Sequence, residues 1–239
     1  MSPPDAADGV ERRQFRQFRF QAPPGACELL LVRHGESQPA VDGEPFPLVD
    51  GHGDPALAPE GRDQAARVCE RLAHEHVDAV YVTTLRRTVE TAEPLAARLG
   101  VTPVVEPDLR EAHLGDWEGG LFRRKVAEGD PIALRMYEEQ RWDVIPGAEP
   151  MESFAARVRG AVGRIARTHV DERVAVFTHG GVIGQILCEA TGSQRFAFTG
   201  ADNASISHVV VTPERWVVRR YNDAVHLDPR LTLHPAPLT

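Results

Sequence analysis

Glu28-Leu29-Leu30-Leu31-Val32 runs into Arg33-His34-Gly35-Glu36, and Val174-Ala175-Val176-Phe177 runs into Thr178-His179-Gly180-Gly181. Each stretch opens as a short, continuous apolar run, the pattern of a strand buried on both faces of a parallel sheet. Each closes on His-Gly. In open α/β sheets ligands collect outside the carboxyl ends of the strands, so both imidazoles belong on the functional edge, and they converge if the strands are neighbours. The glycine after each histidine lets the chain turn sharply and lets a ligand approach main-chain N–H groups. A helix expected to begin just after His179 adds an N-terminus suited to an anion. A lone histidine at a strand end is more often structural; two with the same local grammar, one preceded by Arg33, favour a site.

Outward from these stretches, short apolar runs alternate with longer helical ones, which predicts the α/β class with a mainly parallel sheet. Further strands are expected over Val77–Val82 and Val101–Val105, with an antiparallel pair over Ser205–Val211 and Arg215–Tyr221 joined by Thr212-Pro213-Glu214. Helices are expected over Pro59–His76, Thr84–Leu99 closed by Gly100, Pro131–Arg141, Met151–His169 and Gly181–Ala190. The Pro-, Gly- and Asp-rich stretch Pro39–Pro59 reads as a long loop of the kind that borders functional sites. Residues 27–225 are expected to form one domain, between a flexible N-terminal arm (1–26) and a C-terminal tail (226–239). Glu11–Phe20 interleaves four arginines with Phe15, Phe18 and Phe20. Contact with a partner or an anionic surface is one reading of that arm; a frayed tail whose phenylalanines pack on the domain is the favoured one.

The chain has 239 residues, 42% of them hydrophobic and 26% charged, which excludes a largely disordered protein. With Lys+Arg 27 against Asp+Glu 35, the net charge of −8 argues against general nucleic-acid or membrane-surface binding. No apolar run approaches the roughly 18 residues of a membrane span, and no targeting segment is evident. Three widely spaced cysteines, Cys27, Cys69 and Cys188, form neither a disulfide framework nor a CxxC knuckle, so a cytoplasmic location is expected. Lys125 is the only lysine among the 27 cations, which makes any single arginine weak evidence.

Competing chemistries fail on the same residues. Gly180-Gly181-Val182-Ile183-Gly184 puts His179 where the first glycine of a dinucleotide fingerprint belongs. In Gly35-Glu36-Ser37-Gln38-Pro39, a proline replaces the closing glycine of a nucleophile elbow. His74 and His76 lie about 200° apart around a helix axis, there is no HExxH, and no metal site is expected.

After the Val77–Val82 strand comes Thr83-Thr84-Leu85-Arg86-Arg87-Thr88-Val89-Glu90-Thr91-Ala92, where Leu85, Val89 and Ala92 are expected on one apolar stripe. One of Arg86 and Arg87 can face the sheet edge, and composition does not choose between them. Leu109–Gly119 is dense in carboxylates and turn glycines. It suits either a general acid beside a bound dianion, whose charge would raise its pKa, or a solvated acidic loop anchored by Trp117.

Taken together, Arg33-His34-Gly35-Glu36, Arg87 within Leu85-x-Arg87-x-x-x-Thr91-Ala92, Glu111 within Leu-x-Glu-x-x-x-Gly-x-Trp-Glu-Gly, and Thr178-His179-Gly180-Gly181 resemble the histidine phosphatase superfamily, the phosphoglycerate mutase-like family. Asp54-Pro55-Ala56-Leu57 and Asn203-Ala204-Ser205-Ile206 look like further family segments, and the likeness covers Glu28 to about Tyr221. It implies a three-layer sandwich with helices flanking a mainly parallel central sheet. It also implies a metal-independent phosphatase for small phosphomonoesters, in which His34 becomes a phosphohistidine that water hydrolyses. Arg33, Arg87 and His179 would stabilise the transferring phosphoryl group, and Glu111 would protonate the leaving oxygen and then activate water. Arg33, Ser37, Arg87 and Gly180 would bind substrate, with no cofactor. Two departures concern the substrate loops: Pro39-Ala40 stands where members often have Asn, and Pro146-Gly147-Ala148-Glu149-Pro150 replaces Pro-Gly-Gly-Glu-Ser.

Two other functions fit this resemblance: a phosphoglycerate mutase working through the same phosphoenzyme, and a non-catalytic phospholigand-binding module. The mutases' extra cations are not evident here, and all five central residues are present, which favours the phosphatase. Specificity is expected from Gln38–Asp54 and His113–Arg141. There, Arg123-Arg124-Lys125 reads as a solvated helix face in preference to a contact for an anionic leaving group. A homodimer is compatible with the sequence. An acidic shell around a cationic pocket disfavours nucleic acids and admits small phosphoesters.

Overall fold

A computed structural model describes residues 14–230 of the chain. Six strands form the central sheet: β1 (Cys27–Arg33), β4 (Ala79–Val82), β5 (Val104–Val105), β6 (Arg173–Thr178), β7 (Ile206–Val211) and β8 (Trp216–Asp223). Their order is β5-β4-β6-β1-β7-β8. The first four are mutually parallel; β7 is antiparallel to β1, and β8 to β7.

Helices cover both faces. Along β1, Cys27, Leu29 and Leu31 point to the side packed by α5 (Met151–Thr168) and α6 (Gly180–Thr191). Leu30 and Val32 point to the side packed by α1 (Pro59–Leu72) and α2 (Arg86–Leu99). This alternation is the strand's period of two, read here as a three-layer α/β sandwich. Each fully buried Leu, Val or Phe in the two clusters contributes about 1.5–3 kcal/mol.

A smaller apolar cluster stands beyond the carboxyl edge of the sheet. It is centred on Trp117, Ala133, Met136 and Ile145, and is built from α3 (Leu121–Ala127), α4 (Pro131–Glu139) and the 3-10 turns Gly115–Trp117 and Trp142–Val144. The sequence reading placed Arg123-Arg124-Lys125 on a helix face without giving that helix bounds; it is α3.

Several expectations need correction. The stretch Pro39–Pro59 contains a small hairpin, β2 (Leu48–Val49) and β3 (His52–Gly53), turning on Asp50-Gly51 with both φ positive. Asp-Gly is a strong hairpin turn signal and could have been read. The helix expected to run on to His76 ends at Leu72, which leaves His74 and His76 exposed. Val89 is 43% exposed, while Thr88 joins Leu85 and Ala92 on the buried stripe. Thr88 can be buried because its hydroxyl is bonded, donating to the Leu85 carbonyl at 2.8 Å.

Phe15 and Phe18 are 90% and 98% exposed, so only Phe20 packs on the domain, beneath the Arg219 guanidinium at 3.8 Å from its ring centroid. Residues 1–13 and 231–239, the outer parts of the expected arm and tail, lie outside the described residues. No described helix is long and apolar enough to cross a membrane.

Candidate active site at the carboxyl edge of the sheet

The two His-Gly strand ends are adjacent. β1 and β6 pair in parallel with Arg33 opposite Thr178, and the ladder runs one step further as His34 N–H donates to the Thr178 carbonyl at 3.0 Å. The imidazoles of His34 and His179 therefore meet edge to face, with centroids 5.3 Å apart.

His34 Nδ1 lies 2.7 Å from the Gly35 carbonyl. A carbonyl only accepts, so Nδ1 carries the proton and the lone pair is left on Nε2. Burial, followed by the charges of Arg87 and then Arg33, pushes the His34 pKa well below the ordinary imidazole value. The ring is thus neutral and nucleophilic at neutral pH. The loop is held tightly: Gly35 N–H donates to Thr91 Oγ1 at 2.9 Å, and Asn203 Nδ2 donates to the His34 carbonyl at 2.9 Å. Gly35 is required by contact, because a Cβ there would lie 2.5 Å from the Gly61 carbonyl oxygen of α1.

Arg33, His34, Arg87, Glu111 and Gly180 line one cavity of about 310 Å³. The structure chooses between the adjacent arginines: Arg87 is buried and Arg86 is exposed. Asp54 fixes that choice by accepting the Arg86 N–H at 2.7 Å, which caps the start of α2, while Arg87 Nη1 donates to the Gly53 carbonyl at 2.9 Å. Burial lowers the Arg87 pKa to about 10, still well above neutrality.

His179 is fully buried beside His34. Its Nε2 is 3.2 Å from Thr83 Oγ1, and its Nδ1 has no partner. Arg33 Nη1 is bonded to the Ala201 carbonyl, while its buried Nε is likewise unpartnered. Buried polar atoms are rarely left unpaired, and an unpartnered guanidinium donor with an unpartnered imidazole nitrogen beside His34 fits an anion's oxygens when that nitrogen carries the ring proton. Glu111 Oε2 accepts the Gly181 N–H at 3.0 Å. Gly181 allows this approach, since a Cβ there would lie 2.4 Å from Glu111 Oε1.

A family model described as "Histidine phosphatase superfamily (branch 1)" matches residues 29–224. The chain belongs to the histidine phosphatase superfamily. It is 35% identical over 206 residues to "Phosphoglycerate mutase-like protein 4" of Arabidopsis thaliana, covering 84% of this chain and 87% of that protein. It is 34% identical over 204 residues to the "Metal-independent phosphoserine phosphatase" of the same plant, covering 84% and 83%. Among solved structures, mycobacterial glucosyl-3-phosphoglycerate phosphatase superposes with a TM-score of 0.70 at 27% identity, covering 83% of this chain and all of that one.

Other parts of this histidine phosphatase's site were not read from the sequence. Arg123, expected on a solvated helix face, turns inward: Nη2 donates to Ser37 Oγ and Nη1 to the Gln38 carbonyl, each at 2.7 Å. Its neighbours do behave as surface cations, Arg124 pairing with Asp42 and Lys125 with Asp130. Ser37, expected to bind substrate, lies on an adjoining groove with its hydroxyl engaged by Arg123, and Ala40 lines the same groove. Thr83 orients His179. Arg157 of α5 fastens the Glu111 segment, donating to the carbonyls of Asp108, Arg110 and Glu111 at 2.7–2.9 Å and pairing through two nitrogens with Glu149. Helical spacing puts Arg157 on the same face as Phe154, but no sequence signal separates it from 25 other arginines.

Proposed function

We propose that the chain hydrolyses small phosphomonoesters through a phosphohistidine on His34. The observation that carries this is the tautomer: with its proton on Nδ1 held by the Gly35 carbonyl, a neutral His34 keeps its Nε2 lone pair beside Arg33 and Arg87. Nε2 attacks phosphorus in line, the P–O bond to the leaving group breaks, and Glu111 delivers its proton to the departing oxygen. Water then attacks the phosphohistidine. Glu111, now a carboxylate, takes the water's proton, the P–N bond breaks, and inorganic phosphate and neutral His34 are restored.

Arg33, Arg87 and His179 stabilise the charge on the equatorial oxygens, fixed in place before reaction. Arginine suits this role because its planar fork meets phosphate oxygens in pairs and stays charged. With two guanidiniums at the phosphoryl group, the mechanism asks for no metal ion, in keeping with the printed name of one plant relative.

The test is phosphate release from a panel of phosphomonoesters in the presence of a strong chelator. Undiminished turnover is expected. Activity that vanishes with chelator and returns with a divalent cation would overturn the mechanism, and interconversion of phosphoglycerates faster than phosphate release would reassign the chain to mutase chemistry.

A further inference from the structure

The catalytic cavity continues past the phosphoryl site into a wall made of Phe46, Leu114, Trp117, Phe122, Tyr137 and Trp142. In-line transfer sends the leaving group away from His34, toward the group that protonates it. Glu111 lines this cavity and does not line the adjoining groove, whose rim carries Glu36, Asp42 and Glu44. The leaving group is thereby directed onto the aromatic wall.

Two charged side chains, Arg123 and Glu118, border that wall, each hydrogen-bonded to neutral groups. Arg33 and Arg87 serve the phosphoryl end, and the two terminal nitrogens of Arg123 already donate to Ser37 and Gln38. Both oxygens of Glu118 are taken by main-chain donors, the N–H groups of Leu114 at 2.9 Å and Gly53 at 2.7 Å. A carboxylate, whether of an amino acid or a glycerate, would be desolvated against the negative faces of indole and phenyl rings. A flat, uncharged ring meets the opposite situation. The wall is preorganised by ring-to-ring contacts, Trp117–Phe122 at 6.3 Å, Phe122–Trp142 at 6.2 Å and Trp142–Phe196 at 4.7 Å between centroids. At about 310 Å³ the cavity is near the small end of ligand sites, so the ring system must be small.

We infer that the substrate is a small phosphomonoester whose alcohol bears an aromatic ring, with the ring seated on the Trp117–Phe122–Trp142 wall. This rests on the phosphatase reading above and sets the chain apart from the relative named for phosphoserine.

The experiment compares kcat/KM for benzyl phosphate, ethyl phosphate, O-phosphoserine and 3-phosphoglycerate. Benzyl alcohol is no better a leaving group than a serine hydroxyl, so an advantage for the ring reports binding. Benzyl phosphate is expected to exceed each of the others by about tenfold or more, and Phe122→Ala to shrink that ratio severalfold. Phosphate release from phosphoserine or phosphoglycerate as efficient as from benzyl phosphate would overturn this substrate class and leave the phosphatase reading standing. No release from any of the four would overturn both. The wild-type ratio decides the matter even if the Phe122 variant does not fold.

Discussion

At the proposed phosphoryl end of the cavity, each side chain given a role stands within a few residues of a sheet strand or a helix start: Arg33 and His34 at the end of β1, His179 between β6 and α6, and Arg87 in the first turn of α2. At the proposed leaving-group end, the wall is assembled from Phe46, Trp117, Phe122, Tyr137 and Trp142, spread over almost a hundred residues and set on short helices, 3-10 turns and, for Phe46, a loop. The first end is polar, buried and tied by main-chain hydrogen bonds. The second is apolar and held by ring packing. On the proposed mechanism the contrast is a division of labour: the sheet edge would fix where the phosphoryl group sits, and the added layer would decide what it is attached to.

Glu111 lies at the junction of the two ends, and removing its proton has the largest expected effect short of losing the nucleophile. Glu111→Gln should lower kcat/KM for alkyl phosphates by about 10²–10⁴-fold. The loss for 4-nitrophenyl phosphate should be far smaller, because nitrophenolate departs without a proton. Steady-state rates on both esters check this; equal losses would remove Glu111 from the role of acid.

A smaller effect is expected from Arg157, which touches neither end and positions Glu111. Arg157→Met should cut kcat for alkyl phosphates by about 10- to 100-fold with KM changed less. The nitrophenyl ester should again be spared. Arg157→Lys should rescue only partly, since one ammonium cannot span Glu149 and three carbonyls. A general loss of structure would depress both esters alike and contradict the positioning role.

The same contrast explains what the sequence disclosed. Strand ends carry local grammar: an apolar run, then Arg-His-Gly or Thr-His-Gly, with helix signals beyond. The six sheet strands and five of the helices were legible for that reason, as were Arg33, His34 and His179 as candidates, while Glu111 was singled out only by the family resemblance. The choice of Arg87 over Arg86 came from the family resemblance, and its physical cause, Asp54 capping α2, is a contact between residues 32 positions apart. The aromatic wall was illegible because its members are distant in sequence and look individually like ordinary core residues. Arg123 was hidden for a different reason: in a chain with 26 arginines, a basic triplet on a short helix looks like a solvated face, and only the fold turns one of the three inward.

The central claim is that His34 Nε2 takes the phosphoryl group. Acid-quench or base-quench trapping with ³²P-labelled substrate, followed by peptide mapping, tests it most directly. A phosphoryl label that is lost in acid, survives in base and maps to the peptide containing His34, and that disappears in His34→Ala together with at least about 10⁴-fold of the turnover, is the predicted result. Full turnover in His34→Ala, or label carried by any other residue, would contradict it.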